Sequence, residues 1–311
     1  MASFDDPRWD DARDASKERP TMGRGGAEAD PREPAGRDSH DVFSRSLDLP
    51  RGPSREPVEW DGEVYRLRGS DVRTLATVGA FRIVPVDDLR DDEGRAASLH
   101  RGDVGHLRSL GLLEQVASVD RVSGRALLTL TERGRDLLDA HRMRDADHPQ
   151  EYHAGVGRSR EMLHDAQVYR AYQQAVERLQ RDGAHIERIV LEQDLRREYQ
   201  QFLHERNRGD AETDGRPDRT ADEVRTWADE HHLAYVDGHV QFPDVQIEVR
   251  WPDDVREVEN VEVLTPHYRG AHVTSKVSAG FKTYRFAGGR VGGRTGRGSR
   301  FDPGLAEELL R

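Results

Sequence analysis

The sequence predicts two domains that mix helices with strands, an α+β or α/β fold with unstructured tails at both ends. The chain has 311 residues, enough for two domains of roughly 100–200 residues each. Only 34% of the residues are hydrophobic, against a usual ~45–50% that also counts glycine, so much of the chain lies outside any core. Apolar residues recur at helical spacing in some stretches and alternate in others, which indicates both kinds of element.

Composition excludes several classes of protein. The chain has no cysteine, which rules out a disulfide scaffold, a thiolate zinc site and a cysteine nucleophile. No apolar run approaches the roughly 18 residues of a membrane span, and the N-terminal residues lack the apolar core of a signal peptide. We therefore expect a cytoplasmic protein without membrane contacts. The net charge of -11 disfavours bulk nucleic-acid binding, so any such binding depends on local basic patches.

The N-terminal part of the chain predicts a tail followed by a small domain. Residues 1–57 mix Asp, Arg, Gly and Pro without periodicity, so they bury too little apolar surface to fold and are predicted to be disordered. Residues 58–144 then predict a domain with helices starting at Ser70, Pro85, Leu99 and Thr131, a C-cap at Gly111, and strands at 112–119 and 126–131. Three helices, a hairpin and a last helix are the order of a winged helix-turn-helix.

A winged helix places its third helix in the major groove of DNA and its hairpin along the backbone or the minor groove. Here the third helix leaves five polar side chains outside its apolar face, and two arginines flank the hairpin turn: His100, Arg101, His106, Arg108, Ser109, Arg121 and Arg125. A guanidinium can bind guanine or phosphate with two hydrogen bonds and fits a narrow minor groove. We therefore predict double-stranded DNA as the partner. Ordinary solvated arginines, or a winged helix that binds protein, are the alternatives.

The second domain is predicted to be α/β and to cover residues 150–285, after a linker at 145–149. This length is enough for one core. The spacing of apolar residues predicts four helices, at 161–181, 194–207, 221–232 and 271–284. It also predicts four strands, at 186–191, 235–242, 245–251 and 260–265.

Two acids and a lysine in this domain suggest metal-dependent cleavage of phosphodiesters. Asp244 stands at the head of a predicted strand, Glu262 on the next strand and Lys276 on the helix that follows. Carboxylates can hold Mg²⁺ or Mn²⁺ through oxygen, and a lysine can polarise the attacking water or neutralise charge on the phosphorane. Two of the chain's three lysines, Lys276 and Lys282, fall here, in a sequence that otherwise uses arginine.

The chain resembles the replication-relaxation family. The resemblance covers about residues 66–284, and its motifs are the winged-helix pattern, Met162-Leu-His-Asp165, Phe242-Pro-Asp244, Val261-Glu262-Val263, and a helix with Lys276 and Tyr284. Members are encoded on plasmids and integrative elements and pair a winged helix with a domain similar to the PD-(D/E)xK nuclease fold.

This resemblance implies a restriction-endonuclease-like second domain and a role in replication, relaxation or mobilisation of element DNA. It matches His164 and Asp165 to the family's His-Asp pair, Asp244 to the Pro-Asp acid and Glu262 to the second acid. Conjugation or replication proteins, or a second copy of the chain, are the candidate protein partners.

One position departs from an active nuclease. Leu264 stands two residues after Glu262, where a lysine is expected. Lys276 could compensate from the helix, or the domain could be a non-catalytic relic that serves as a binding platform, and we favour the relic. Adjacent helical residues point about 100° apart, so His164 and Asp165 are expected to be structural. A transcriptional regulator with a ligand-sensing or dimerisation domain and a Mg²⁺-dependent endonuclease are the alternative functions.

The C-terminal residues 286–311 predict a flexible basic tail. Up to Arg300 the segment is rich in glycine and arginine, too rich in glycine to fold alone. Its arginines could follow an irregular phosphate path, or they could simply raise solubility.

Overall fold

The first half of the fold combines short helices with a small antiparallel sheet. A computed structural model of the chain describes residues 39–90, 94–116, 126–144, 149–157, 161–207, 217, 219–264 and 276–285. After a 3-10 helix at Ser39–Ser44, the elements are β1 (Glu56–Trp60), β2 (Glu63–Leu67), α1 (Gly69–Phe81), β3 (Val84–Pro85), a 3-10 turn at Val86–Asp88, α2 (Gly102–Ser109), β4 (Leu113–Val116), β5 (Leu127–Leu130) and α3 (Glu132–Ala140).

The strand order of the first sheet is β3-β5-β4, with antiparallel pairing throughout. Leu113 lies opposite Leu130, so β4 and β5 form a ribbon directly after α2. The predicted pair of strands is therefore confirmed. The residues between the two strands, 117–125 with Arg121 and Arg125, lie outside the described residues.

The end of α2 follows the sequence prediction. Gly111 has a φ of 70°, a left-handed conformation that glycine adopts without strain. The N–H of Gly111 donates to the carbonyl of Arg108 and the N–H of Leu112 to that of Leu107, both at 3.0 Å. These two hydrogen bonds satisfy carbonyls of the last helical turn and direct the chain into β4.

Two predicted helix starts in this region are wrong. Pro85 does not open a helix, because it is extended and pairs with Leu127 in the sheet, and only a 3-10 turn follows it. The helix expected from Leu99 starts instead at Gly102. Gly102 has a φ of 62°, which interrupts the helical path of the backbone before it.

A second sheet follows, with one long helix against it. Its elements are α4 (Met162–Arg181), β6 (His185–Leu191), α5 (Glu192–His204), α6 (Ala221–Glu230), β7 (Tyr235–Val236), β8 (His239–Val240), β9 (Val245–Arg250), β10 (Arg256–Leu264) and β11 (Lys282–Arg285). The sheet order is β11-β10-β9-β6, with β11 parallel to β10 and the other pairs antiparallel. The short strands β7 and β8 form a separate hairpin.

The alternation along β9 explains how this sheet packs. Val245, Ile247 and Val249 are buried in the main core together with the apolar side of α4. Gln246 and Glu248 point to the opposite face, as the period of two predicts. The described residues form both helices and strands, so the predicted mixture of the two is confirmed.

The last predicted helix is wrong in its second half. Residues 276–278 are helical, but Lys282 and Tyr284 lie on β11, and residues 271–275 lie outside the described residues. Gly280 has a φ of 81°, which ends the helical path. Strand geometry then buries the Tyr284 ring in the main core.

Ordered structure begins well before Val58, so the predicted end of the tail at residue 57 is wrong. Phe43 is completely buried, and its ring lies 5.5 Å from that of Phe81 and 5.6 Å from that of Tyr172. The Tyr152 hydroxyl donates a hydrogen bond to the Phe43 carbonyl. Because the segment around Phe43 is polar, its composition does not indicate that this residue is buried. Residues 1–38 lie outside the described residues.

The two regions expected to be separate domains share one hydrophobic core. Phe81 of α1 packs against Tyr169 and Tyr172 of α4, with ring centroids 5.0 and 4.7 Å apart. The chain after the expected linker is also packed, because Gln150 and Tyr152 are buried. Residues 145–148 of that linker lie outside the described residues. Within the described part of the chain, no helix has the length and apolar composition of a membrane span.

The packing of Phe43 predicts a large loss of stability when its ring is removed. Phe43→Ala should lower the free energy of unfolding by about 3–5 kcal/mol, because it leaves a cavity between Phe81 and Tyr172. Val64→Ala, at a largely exposed position in β2, is the control and should change it by less than about 0.5 kcal/mol. Urea denaturation measures both, and equal effects would mean that Phe43 is not part of the core.

Candidate functional site

The topology of the second sheet brings four polar side chains to one edge. β9 runs antiparallel to β6 and β10, so its start lies beside the ends of both neighbours. Asp244 directly precedes β9, Glu262 lies near the end of β10, and α4 places His164 at the same edge. Lys276 completes the group from the short helical segment before β11. We call His164, Asp244, Glu262 and Lys276 the sheet-edge cluster.

Asp244 ties three elements together through its two carboxylate oxygens. Its Oδ1 lies 3.0 Å from Nε2 of His164, and its Oδ2 accepts a hydrogen bond of 2.6 Å from the main-chain N–H of Val263. The residue is buried. Its carboxylate therefore joins the first turn of α4, the start of β9 and the end of β10.

Glu262 and Lys276 form the other half of the cluster. The Glu262 side chain is almost completely buried, and its Oε2 lies 3.1 Å from Nζ of Lys276. The same ammonium donates a hydrogen bond of 2.5 Å to the carbonyl oxygen of Phe242. Lys276 thus reaches the second acid from the helical segment. Lys282 is exposed at the start of β11.

His164 and Asp165 point in different directions, as adjacent helical residues must. His164 faces the sheet, whereas Oδ2 of Asp165 lies 3.8 Å from Nη1 of Arg82, just after α1. The pair therefore links α4 both to the second sheet and to the first half of the fold.

Burial and neighbouring charges act in opposite directions on the pKa of His164. Burial disfavours the imidazolium, but the hydrogen bond to Asp244 and the negative charges of Asp244, Asp165 and Glu262 outweigh it. Together they raise the pKa of His164 to about 9, so the ring is positively charged at neutral pH. Burial raises the pKa of Asp165 to about 6, although the positive charges of Arg82 and His164 oppose this change.

This arrangement does not fit the divalent metal ion that the two acids suggested. Both oxygens of Asp244 accept hydrogen bonds from the chain, and Oε2 of Glu262 is paired with Lys276. Over the described residues, no group of three or more His, Asp or Glu side chains is placed to hold a metal. The two predicted metal ligands, Asp244 and Glu262, are paired with the side chains of His164 and Lys276 respectively.

The side chains predicted to contact DNA fall into two groups. His100 and Arg101 are exposed just before α2, and Ser109 is exposed at its end. By contrast, the His106 ring lies 2.8 Å from the Arg66 carbonyl oxygen, and Nη1 of Arg108 donates to the Leu99 carbonyl at 2.9 Å.

The expectation that all five polar side chains of this helix point outward is therefore wrong for His106 and Arg108. The helix has little more than two turns, and these two residues lie on the sides that contact the preceding chain. Arg121 and Arg125 lie outside the described residues.

Sequence reasoning missed an ion-pair network at the start of α2. Asp103 is buried in the first turn of α2, and its Oδ1 lies 2.7 Å from Nη2 of Arg68. Asp71, completely buried in the first turn of α1, accepts a hydrogen bond of 2.9 Å from Nε of Arg55. An acidic residue in the first turn of each helix was the only available signal. The network fixes the start of α2 beside α1.

Comparison of the chain with known protein families, characterised proteins and solved structures finds no match. The resemblance to the replication-relaxation family therefore stays a prediction that depends on the motifs within the chain.

The raised pKa of His164 predicts a loss of stability in alkaline solution. The folded protein keeps this proton up to about pH 9, whereas the unfolded chain releases it near pH 6.5. The stabilisation is therefore complete below pH 6.5 and is lost as the pH rises through about 9, at a cost of about 3 kcal/mol.

Urea denaturation of the wild type and His164→Gln between about pH 6 and pH 10 measures this effect. Glutamine can still donate a hydrogen bond to Asp244 but has no proton to release. The difference in unfolding free energy between the two proteins should shrink with rising pH. A difference independent of pH would mean that His164 does not carry the extra proton.

Proposed function

We propose that this protein binds double-stranded DNA through α2 and the β4–β5 ribbon, and that its second region is a nuclease-like platform without catalytic activity. The observation that supports this most is the arrangement of the first region. The chain passes from α1 through β3 and a short turn to α2, and then directly into an antiparallel ribbon whose strand β5 lies between β3 and β4. This is the order expected of a winged helix, although its second helix is reduced to a 3-10 turn.

The charges around α2 support the same proposal. Arg101 and His100 are exposed where α2 begins, and the N–H groups of a helix start attract phosphate. The ion pair of Arg68 with Asp103 holds this end of the helix in place. A fixed helix with an exposed arginine at its start can approach the backbone of a duplex without reorganisation.

The second region supports the nuclease-like part of the proposal through its topology. Apart from α5, α6 and the β7–β8 hairpin, which lie between β6 and β9, the chain runs from α4 through the antiparallel strands β6, β9 and β10 and a helical segment to β11, which is parallel to β10. We infer that this mixed four-stranded sheet is the nuclease-like domain that the family resemblance implies. On that resemblance, the protein acts in replication, relaxation or mobilisation of a mobile element, with conjugation or replication proteins as partners.

The ribbon and α4 are neighbours, which gives a bound duplex a route across the molecule. Val116, the last described residue of β4, packs against an apolar cluster that contains Met162 and Ala166 of α4. His164 belongs to the same first turn. DNA held by the ribbon would therefore pass near the sheet-edge cluster, where the second region could clamp it.

A cleft on the second sheet favours a different function, a regulator that senses a small polar ligand. It has a volume of about 590 Å³ and lies between the sheet, helices α5 and α6 and the N-terminal segment with Val42, Arg45 and Ser46. Its lining includes Arg188, Gln246 and Glu248 of the sheet together with Glu198 and His231. A regulator would change its affinity for DNA when a ligand fills this cleft, whereas a clamp would not.

Salt-dependent binding of duplex DNA tests the proposed function. Arg101→Ala should weaken binding and lower the slope of log K against log salt by about 0.9 if Arg101 contacts one phosphate. Arg121→Ala and Arg125→Ala, in the sequence between β4 and β5, should act in the same direction. Fluorescence anisotropy with a labelled duplex at two or more salt concentrations gives both quantities.

Arg181→Ala is the matched control for this experiment. Arg181 is exposed in the last turn of α4, roughly 28 Å along the helix from Met162, so its loss should leave DNA affinity unchanged. Equal affinity and equal slopes for the wild type and the Arg101, Arg121 and Arg125 variants would reject α2 and the ribbon as the DNA-binding surface.

A nicking assay separates the platform from an endonuclease. Supercoiled plasmid incubated with the protein and Mg²⁺ or Mn²⁺ should remain intact, because the carboxylates of Asp244 and Glu262 are held by His164, Val263 and Lys276. Asp244→Ala serves as the control preparation. Nicking by the wild type that disappears in Asp244→Ala would establish a nuclease and refute the non-catalytic proposal.

A further inference from the structure

We propose that Lys276 and His164 take the place of a divalent cation in the sheet-edge cluster, so that the protein holds these carboxylates with its own side chains and excludes Mg²⁺ and Mn²⁺. This inference concerns ion binding alone and goes beyond the proposed function. It holds or fails whether or not the protein binds DNA.

The position of the Lys276 ammonium is the first support for this inference. Its Nζ lies 3.1 Å from Oε2 of Glu262 and 2.5 Å from the carbonyl oxygen of Phe242. A carboxylate oxygen and a main-chain carbonyl oxygen are the kinds of ligand that hard divalent cations prefer. The ammonium therefore occupies, with a single positive charge, the donors that such an ion would use.

The hydrogen bonds of Asp244 are the second support. Its Oδ2 accepts from the N–H of Val263, and the His164 ring lies at hydrogen-bond distance from Oδ1. A carboxylate only accepts, so Nε2 of His164 carries the proton in this contact and cannot itself bind a metal. An ion that approached Asp244 would have to displace this ring.

The two cationic side chains, and not the buried carboxylates, form the side of the cluster that faces solvent. The side chains of Lys276 and His164 are 17% and 29% exposed, so water and small ions can reach the outer side of the cluster. Lys276 and His164 therefore stand between the solvent and the oxygen donors of Glu262 and Asp244. Removing the ammonium should convert the same residues into a cation site.

Mn²⁺ binding to the full-length protein tests this inference without DNA. Electron paramagnetic resonance of free Mn²⁺ should show no binding by the wild type at Mn²⁺ concentrations up to about 1 mM. Lys276→Met should bind Mn²⁺ with a dissociation constant at least about tenfold below that concentration. Methionine keeps the length of the side chain but lacks the charge. Adding His164→Ala, which removes the donor to Oδ1 of Asp244, should strengthen binding further, and adding Glu262→Gln to Lys276→Met should abolish it.

Lys282→Met is the matched control, because it removes an exposed lysine from the same region without vacating a carboxylate. It should resemble the wild type. Wild-type protein that binds Mn²⁺ as tightly as Lys276→Met would overturn the inference, and so would a folded Lys276→Met variant that binds no better than Lys282→Met. Circular dichroism establishes which variants are folded.

A measurement on the wild type keeps the inference testable if Lys276→Met does not fold. Bound Mn²⁺ broadens the NMR signals of nearby nuclei, so the ring signals of His164 should remain sharp when Mn²⁺ is added. Selective broadening of the His164 signals relative to those of His185, at the far end of β6, would show that an ion enters the cluster and would overturn the inference.

Discussion

The contact between Phe81 and two tyrosines of α4 is the interaction on which the rest of the structure depends. Phe81 ends α1, and its ring packs against those of Tyr169 and Tyr172. Because α4 presents His164 in its first turn and Arg82 directly follows α1, the same contact sets the position of the sheet-edge cluster relative to the first sheet. Aromatic rings bury a large apolar area with defined geometry, which suits such a junction.

Local patterns in the sequence were sufficient for most individual elements and insufficient for their assembly. The alternation in β9 and the glycine after α2 depend on neighbouring residues, so they are visible in the sequence. Phe43 is a single aromatic residue in a polar segment, and only its distant partners Phe81 and Tyr172 reveal its burial. β11 escaped prediction because its pairing partner β10 lies beyond an intervening segment, and pairing overrides local helical spacing.

The candidate site shows the same division. Asp244, Glu262 and Lys276 could be selected from the sequence because acids at strand ends and a scarce lysine are distinctive. In the structure, Asp244 contacts His164 and the backbone N–H of Val263, and Lys276 donates to the carbonyl oxygen of Phe242. These contacts follow from the way three strands meet at one edge. The inward turn of Arg108 was equally invisible, because the sequence does not show which side of a short helix contacts the preceding chain.

The shared core also has a consequence for how the chain folds. Phe43 and Phe81 are translated early, whereas the tyrosines that pack against their rings belong to α4, much later in the sequence. Until α4 has left the ribosome, the nascent first region exposes an apolar surface that invites aggregation or chaperone binding. Because these contacts join residues far apart in the sequence, they raise the contact order and favour slow folding. The two halves of the fold then complete their packing together.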